Sequence, residues 1–304
     1  MRKSILLLIA LAGAMFWTGC LPFEEMSPKQ ENPEARTWTV SVRAERADGA
    51  ETKGLEIGDG TEATILELKS VWKENEPVKV YLDGALIGTL TATPDGVNPH
   101  FATLSGDITT TSIVANSTRL DLLTPRESWD YSGQNGKLLL SDDAVNSIEK
   151  KYHYTLASSV LVTDVSGDNI TTESATFTNQ QSIFRLSFKY AAASINAKSV
   201  TISGAGGEIV QSQNVTGTAV TKGPISVTLG TATTNPFFVA LRNGDTNDEN
   251  ITFTVMDADG VTYRGTKEIP AAAKPNGTFV SMKYTALPQR MDLPLSSTEV
   301  TTVL

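Results

Sequence analysis

Short segments in which apolar and polar residues alternate run through most of this chain. In TWTVSVRAE, residues 37–45, the side chains of Trp38, Val40 and Val42 fall on one face. Similar segments, rich in Thr, Val, Ile and aromatic residues, recur between Gly, Asp, Asn and Pro turns about 8 to 12 residues apart. Such alternation is typical of β-strands with one buried face, and turns this close together favour sandwiches over βαβ units. The sequence therefore predicts an all-β protein.

The strands fall into two runs, which predict two β-sandwich domains in tandem. The first run begins at Thr37 and the second follows the turn Ser166-Gly167-Asp168, so we expect domains at residues 37–165 and 166–290. A chain of 304 residues is long enough for two domains. Tight turns are predicted at Asp83-Gly84, Pro94-Asp95-Gly96 and Asp259-Gly260. The segment SDDAVNSIEKKYHY, residues 141–154, predicts one short helix that starts at Ser141 or Asp142.

Residues 1–20 have the layout of a signal peptide. Arg2 and Lys3 precede an apolar run at residues 5–17, which is shorter than the roughly 20 residues that a transmembrane helix needs. Thr18 and Gly19 then precede Cys20, the one cysteine of the chain, which has no partner for an internal disulfide. This order resembles a bacterial lipobox and implies that the Cys20 thiol is acylated. The alternative is an ordinary signal peptide with a stray cysteine.

The two ends of the remaining chain differ from the strand-rich part. Residues 21–36 contain Pro22, Pro28, Pro33 and several Glu, and we interpret them as a tether. Within the tether, Glu24 and Glu25 resemble the acidic export signals of Bacteroidetes surface lipoproteins. The tail at residues 291–304 has a strand-like pattern, and a free strand-like terminus is an aggregation hazard unless it pairs with something.

Residues for catalysis or cofactor binding do not stand out in the sequence. The motifs of serine hydrolases, zinc proteases, P-loop proteins and dinucleotide-binding proteins are absent, and His100 and His153 lie far apart. The loop NGDTNDEN, residues 243–250, alternates oxygen ligands but has Asn250 and Met256 where a calcium loop needs Gly and Glu. We therefore expect no enzyme activity, no cofactor and no metal. The net charge of −9, without clusters of Lys and Arg, also argues against nucleic acid as a partner.

Taken together, these features resemble the fimbrillin family of Bacteroidetes, the subunits of type V pili. The resemblance covers nearly the whole chain and rests on its organisation and on three stretches. These are ETKGLEIGDGTEATILELKSVW…VKVYLDG, FTNQQSIFRLSFKY and PFFVALR…ITFTVMDADGVTY. It implies two transthyretin-like sandwiches and a lipid-anchored precursor on the outer membrane surface. It also implies that a trypsin-like protease removes the first strand, so that a terminal strand of another fimbrillin subunit can replace it in the fimbria.

The same mechanism makes physical sense for these residues. Loss of a strand carrying Trp38, Val40 and Val42 would uncover apolar surface and unpaired backbone groups, which a donor strand could cover. A contact between unlike surfaces propagates as a filament. The candidate donor is the tail, with Leu293, Leu295, Val300 and Val303 as its apolar side chains.

Three arginines are candidate cleavage sites. Cutting after Arg46 would free the whole strand, whereas Arg43 lies within it and Arg36 would leave it in place. We therefore prefer Arg46, and the alternative is that all three are surface arginines.

Other roles stay open at this point. The subunit could be an anchor or tip that does not polymerise, with ligands on host or bacterial surfaces as further candidate partners in adhesion. A monomeric outer-membrane lipoprotein that binds glycan through exposed Trp72, Trp129 and Tyr131 is the alternative from another class.

Overall fold

The computed structural model describes residues 34–46, 56–57, 68–69, 71–137, 146–204, 209–242, 250–268, 279–281, 285–286 and 289–290. The described chain is all-β, which confirms the predicted class. Residues 1–33 and the tail at 291–304 lie outside the described residues, so Cys20 and most of the tether are not described. The division into signal peptide, tether and tail stays a prediction.

The described residues of the first half of the chain form eleven strands, numbered in chain order. They are β1 (Arg36–Arg46), β2 (Glu56–Ile57), β3 (Leu68–Lys69), β4 (Pro77–Leu82), β5 (Ala85–Pro94), β6 (Phe101–Thr110), β7 (Arg119–Thr124), β8 (Ser128–Asp130), β9 (Thr155–Ser166), β10 (Asn169–Thr172) and β11 (Ala175–Asn179). The predicted helix is confined, among the described residues, to one π-helical turn at Ile148–Tyr152. It is capped by Ser147, whose hydroxyl accepts from the Lys150 N–H, and not by Ser141 or Asp142, which lie outside the described residues.

Eight of these strands form a sheet that closes on itself. Its order is β10-β1-β11-β9-β7-β4-β5-β6, and β1 also pairs with β6. β10 and β11 lie one after the other along the same edge of β1, parallel to it. Closure leaves β1 with a hydrogen-bonded neighbour on both sides, so its backbone groups are satisfied within the sheet.

The described part of the second half forms thirteen further strands. They are β12 (Ser182–Leu186), β13 (Phe188–Tyr190), β14 (Ala193–Ser194), β15 (Ala197–Gly204), β16 (Val210–Asn214), β17 (Val220–Lys222), β18 (Ile225–Thr233), β19 (Phe237–Leu241), β20 (Asn250–Asp257), β21 (Thr262–Glu268), β22 (Phe279–Ser281), β23 (Thr285–Ala286) and β24 (Gln289–Arg290). Their larger sheet has the order β18-β15-β20-β21-β24, and two smaller sheets have the orders β19-β12-β22 and β14-β13-β23.

Strand pairing in the second half repeats that of the first. β4 pairs with β5 and β7, and β7 pairs with β9; in the same way β15 pairs with β18 and β20, and β20 pairs with β21. β1 pairs antiparallel with β6 and parallel with β10 and β11, as β12 pairs antiparallel with β19 and parallel with β22. Each half therefore begins with a strand that lies between an antiparallel and a parallel neighbour.

The structure contains two hydrophobic cores. The first core lies inside the closed sheet and includes Trp38, Val40, Val42, Leu104, Leu120 and Phe177. The second core lies among the strands of the second half and includes Phe184, Val200, Phe237 and Phe253. Aromatic residues of the first half also belong to the second core, namely Tyr81, Trp129, Tyr131, Tyr152 and Tyr154. In addition, β8 pairs with β16, so backbone pairing links the two halves.

The turn at Ser166-Gly167-Asp168 does not separate the two halves. Gly167 and Asp168 connect β9 to β10, which pair antiparallel within the first sheet. β10 and β11 therefore belong with the first sheet, although the sequence analysis assigns them to the second domain. Their alternating pattern gave no indication of the partner, because both pair with β1, more than a hundred residues away in sequence.

The short hairpin signals are confirmed where the structure describes them. Asp83 and Gly84 both have positive φ, at 50° and 80°, and join β4 to β5. The Asp95 carboxylate accepts from the N–H groups of Val97 and Asn98 and so stabilises the turn between β5 and β6. Gly260, with φ of 82°, lies in the turn between β20 and β21.

Candidate functional site

β1 and the groove that it fills form the candidate functional site. Its pairing with β6 runs from Arg36 opposite Thr110 to Glu45 opposite Phe101. On its other edge, Val40 pairs with Ile170 of β10 and Ala44 pairs with Ala175 of β11. The groove is therefore bounded by β6 on one side and by β10 and β11 on the other.

The inner face of β1 is apolar, as the sequence predicts. Val40 and Ala44 are fully buried, Val42 is 1% exposed and Trp38 is 6% exposed. Full burial of a side chain the size of Val contributes about 1.5 to 3 kcal/mol. A vacant groove would thus expose a continuous apolar surface together with two edges of unpaired backbone groups.

An exposed ion pair lies at the first residue of β1. The Arg36 guanidinium donates to the Asp168 carboxylate and, at 3.0 Å, to the Gly167 carbonyl oxygen. It also lies 4.3 Å from the centre of the Trp38 ring. Because both side chains of the ion pair are well exposed, water screens the attraction and the pair contributes little stability.

A partly buried ion pair lies at the other end of β1. Arg46 is 3% exposed, and its guanidinium donates to the Glu76 carboxylate just before β4. The same carboxylate accepts from the Thr124 hydroxyl at 2.8 Å and from the Lys73 N–H at 3.3 Å. Burial lowers the pKa of Arg46, and the charge and hydrogen bond of Glu76 oppose this shift.

Aromatic rings complete the surroundings of Arg46. The guanidinium lies 4.2 Å from the centre of the Trp72 ring, within the range of a cation–π interaction. Trp72 in turn meets Phe177 edge to face, with the ring centres 4.9 Å apart. Phe177 pairs with Arg46 across β1 and β11. We call Arg46, Glu76, Trp72 and Thr124 the arginine cluster.

The positive charge of Arg46 in this cluster acts on the nearby His153 ring. Burial lowers its pKa from 6.5 to about 3, and the positive charges of Arg46 and Lys73 add to the effect. A hydrogen bond at 2.8 Å joins its Nε2 to the Asn179 Oδ1 and opposes the shift. His153 is therefore neutral at physiological pH and lies in the protein as a packed polar residue.

The three candidate cleavage sites differ sharply in exposure. Arg36 and Arg43 point outward, whereas Arg46 is buried in the arginine cluster. Arg43 lies 5.5 Å from the centre of the Phe101 ring, and its backbone pairs with Thr103 in the middle of the β1–β6 ladder. Cleavage after Arg46 stays a prediction, but the sequence analysis did not anticipate that its side chain is enclosed. The candidate donor residues Leu293, Leu295, Val300 and Val303 lie outside the described residues.

The alternation in β1 is a sequence signal for the burial of Arg46. Alternation places Trp38, Val40, Val42 and Ala44 inward, and the same parity places Arg46 inward. An inward arginine requires an acidic partner. The sequence could not identify that partner as Glu76, since acidic residues are spread along the chain.

The aromatic cluster proposed for glycan binding is not on the surface. Trp72, Trp129 and Tyr131 are 2%, 1% and 0% exposed. Trp72 packs in the first core and the other two pack in the second core. A glycan could stack on these rings only if they were exposed, so this form of the alternative is wrong.

The described residues contain neither a metal-binding cluster nor a membrane-spanning helix. Among them, no group of three or more His, Cys, Asp or Glu could hold a metal ion. The same part of the chain contains no helix that is long and apolar enough to cross a membrane. The acidic loop at residues 243–249 lies outside this part.

Solved structures that resemble this protein include cell adhesion and fimbrial proteins of Bacteroides and Porphyromonas. A candidate cell adhesion protein from Bacteroides uniformis has a TM-score of 0.41 and 15% identity, over 75% of this chain and 83% of that chain. A fimbrial protein from Bacteroides ovatus has a TM-score of 0.33 and 10% identity, over 82% and 50%. A C-terminally truncated tip fimbrial protein from Porphyromonas gingivalis has a TM-score of 0.31 and 10% identity, over 76% and 82%. No protein-family model and no curated protein matches the sequence.

Proposed function

We propose that this protein is a structural subunit of a surface fimbria. In this proposal it is exported as a lipoprotein, loses its first strand to a protease and polymerises by donor-strand exchange. The observation that carries the proposal is the position of β1, which is terminal in the described chain yet fills the centre of a closed sheet. Removal of a strand in this position does not interrupt the polypeptide that forms the other strands of the sheet.

The groove supports an exchange of strands because of its chemistry. Its floor is the first core, and its two edges are the backbones of β6 and of β10 with β11. Any strand with alternating apolar residues could satisfy the same backbone groups, which is how β-augmentation works. A groove on one subunit and a donor strand on another are unlike surfaces, so the contact extends into a filament.

The other parts of the chain have assigned roles in this proposal. Cys20 carries the lipid, residues 21–36 form the tether and the tail at 291–304 is the donor strand, with the protein on the outer membrane surface. The partners are other fimbrillin subunits and a trypsin-like protease. The two halves are transthyretin-like sandwiches in tandem, a proposal that their repeated strand pairing supports.

Limited proteolysis followed by sizing tests the proposal. The full-length protein, solubilised in detergent, is treated briefly with trypsin, and the new N-terminus is identified by mass spectrometry. We expect cleavage after Arg46, loss of the fragment that carries β1 and growth into oligomers. A matched chain that lacks residues 291–304 should be cleaved equally and stay monomeric. A cleaved full-length chain that stays monomeric would contradict the proposal and favour an anchor or a monomeric lipoprotein.

A further inference from the structure

The arginine cluster lies at the position where the proposed cleavage would occur. A protease that recognises arginine must take the side chain before the cleaved bond into its own pocket. The Arg46 side chain is already bound to Glu76 and covered by Trp72, and it is 3% exposed. Both sides of its backbone are also engaged, because its N–H donates to the His100 carbonyl at 3.0 Å and it pairs with Phe177 of β11.

We propose that Glu76, Trp72 and Thr124 form a lock that controls cleavage after Arg46 and the release of β1. This inference rests on the proposed function, since it concerns regulation of the same strand. While the lock is closed, Arg46 cannot enter a protease pocket. Cleavage then proceeds only through a local opening in which the guanidinium leaves Glu76, and its rate follows the population of that open state.

The energetics of the lock come from the partly buried Glu76 carboxylate. Glu76 accepts from Arg46, from the Thr124 hydroxyl and from the Lys73 N–H, and among these three donors Arg46 is the charged one. Opening leaves a carboxylate with a side-chain exposure of 17% and no guanidinium partner, which is strongly unfavourable. The lock therefore acts on the end of the strand that the protease must reach.

Weakening the lock should accelerate cleavage at one bond only. In the full-length protein, Glu76→Gln should raise the rate of trypsin cleavage after Arg46 by about tenfold or more. The matched control Glu74→Gln, an exposed position two residues away, should change that rate less than about twofold. The milder variant Thr124→Val removes one hydrogen bond to Glu76 and should give an intermediate increase.

A second arginine distinguishes local opening from general loss of stability. Arg264 has an exposed side chain, and its backbone pairs with Thr254 in the second half, so cleavage after it reports opening of that sheet. An increase at Arg46 alone supports the lock. An increase of equal size at Arg264, or the same Arg46 rate in Glu76→Gln and Glu74→Gln, would overturn it. If Glu76→Gln does not fold, the comparison of Thr124→Val with Glu74→Gln decides.

The lock and the proposed function can fail separately. If Glu76→Gln is cleaved faster after Arg46 but the product stays monomeric, the lock stands and strand-exchange assembly fails. If the cleavage rate does not respond but the cleaved wild-type protein forms oligomers, assembly stands and the lock fails.

Discussion

Arg46 and Glu76 form an ion pair inside the protein that connects the last residue of β1 to the residue before β4. At the opposite end of the same strand, Arg36 and Asp168 form an ion pair in solvent. β1 is therefore held by a buried charge at one end and by an exposed charge at the other, with apolar residues between them. This asymmetry indicates that the Arg46 end resists release more strongly than the Arg36 end.

A double-mutant cycle should measure the difference between the two pairs. Glu76→Leu should lower the free energy of unfolding by about 3 kcal/mol or more, because it leaves the buried Arg46 charge without its partner. Arg46→Met should cost less, because the Glu76 carboxylate that it leaves is partly exposed. The double variant should recover a large part of that loss. Arg36→Ala, which breaks the exposed pair, should change the free energy of unfolding by less than about 1 kcal/mol. Urea unfolding monitored by tryptophan fluorescence measures these free energies. Equal losses from breaking the two ion pairs would contradict the claim that the Arg46 end of β1 is held more strongly.

The two faces of β1 should respond differently to truncation. Val42→Ala removes buried methyl groups from the first core and should lower the free energy of unfolding by about 2 kcal/mol. Ser41→Ala, on the exposed face of the same strand, should change it by less than about 0.5 kcal/mol. Denaturant midpoints of the two variants check this, and a Val42 variant as stable as the Ser41 variant would show that β1 does not fill the core.

Acid should destabilise the protein partly through His153. Its pKa falls from 6.5 to about 3 on folding, because burial and the charges of Arg46 and Lys73 disfavour the protonated ring. The unfolded chain thus binds a proton that the folded protein does not, so stability from this group is present above pH 6.5 and is lost as the pH falls to about 3. His153→Gln should lose stability less steeply than wild type in this range. Free energies of unfolding measured at several pH values test this prediction. Parallel curves for wild type and His153→Gln would contradict a contribution of His153 to acid destabilisation.

Gly84 should be intolerant of a side chain. The φ of Gly84 is 80°, a value that residues with a side chain rarely adopt. A Cβ at this position would also collide with the methyl group of Thr216, which belongs to the second half of the chain. Gly84→Ala should lower the free energy of unfolding by about 1 to 3 kcal/mol. Gly96→Ala, at a turn with open space around it, should change it by less than about 0.5 kcal/mol. Adding Thr216→Ser to Gly84→Ala should recover part of the loss, and no recovery would argue against this contact.

Local features of the fold could be predicted from the sequence because their causes are local. Asp83-Gly84 and Asp259-Gly260 specify turns through positive φ, and alternation in residues 37–45 specifies which face of β1 is buried. These signals depend on the residues themselves and not on their partners.

The partners of the strands could not be predicted in the same way. β1 pairs with β10 and β11, and β8 pairs with β16, over long separations in sequence that no turn signal specifies. For the same reason the sequence could not show that Trp129 and Tyr131 are buried, because the strands that cover them belong to the second half. The arginine cluster is a product of these long-range pairings, since its members come from β1, from the segment before β4 and from the end of β7.

Binding of the tail to a vacated groove is the measurement that tests strand exchange most directly. A fluorescent peptide of residues 291–304 is titrated into full-length protein, before and after cleavage at Arg46 and removal of the fragment that carries β1. Strand exchange predicts saturable binding to the cleaved protein, competition by a peptide of residues 36–46, and no binding to the intact protein. Failure of the tail peptide to bind the cleaved protein from which β1 has been removed would contradict strand exchange.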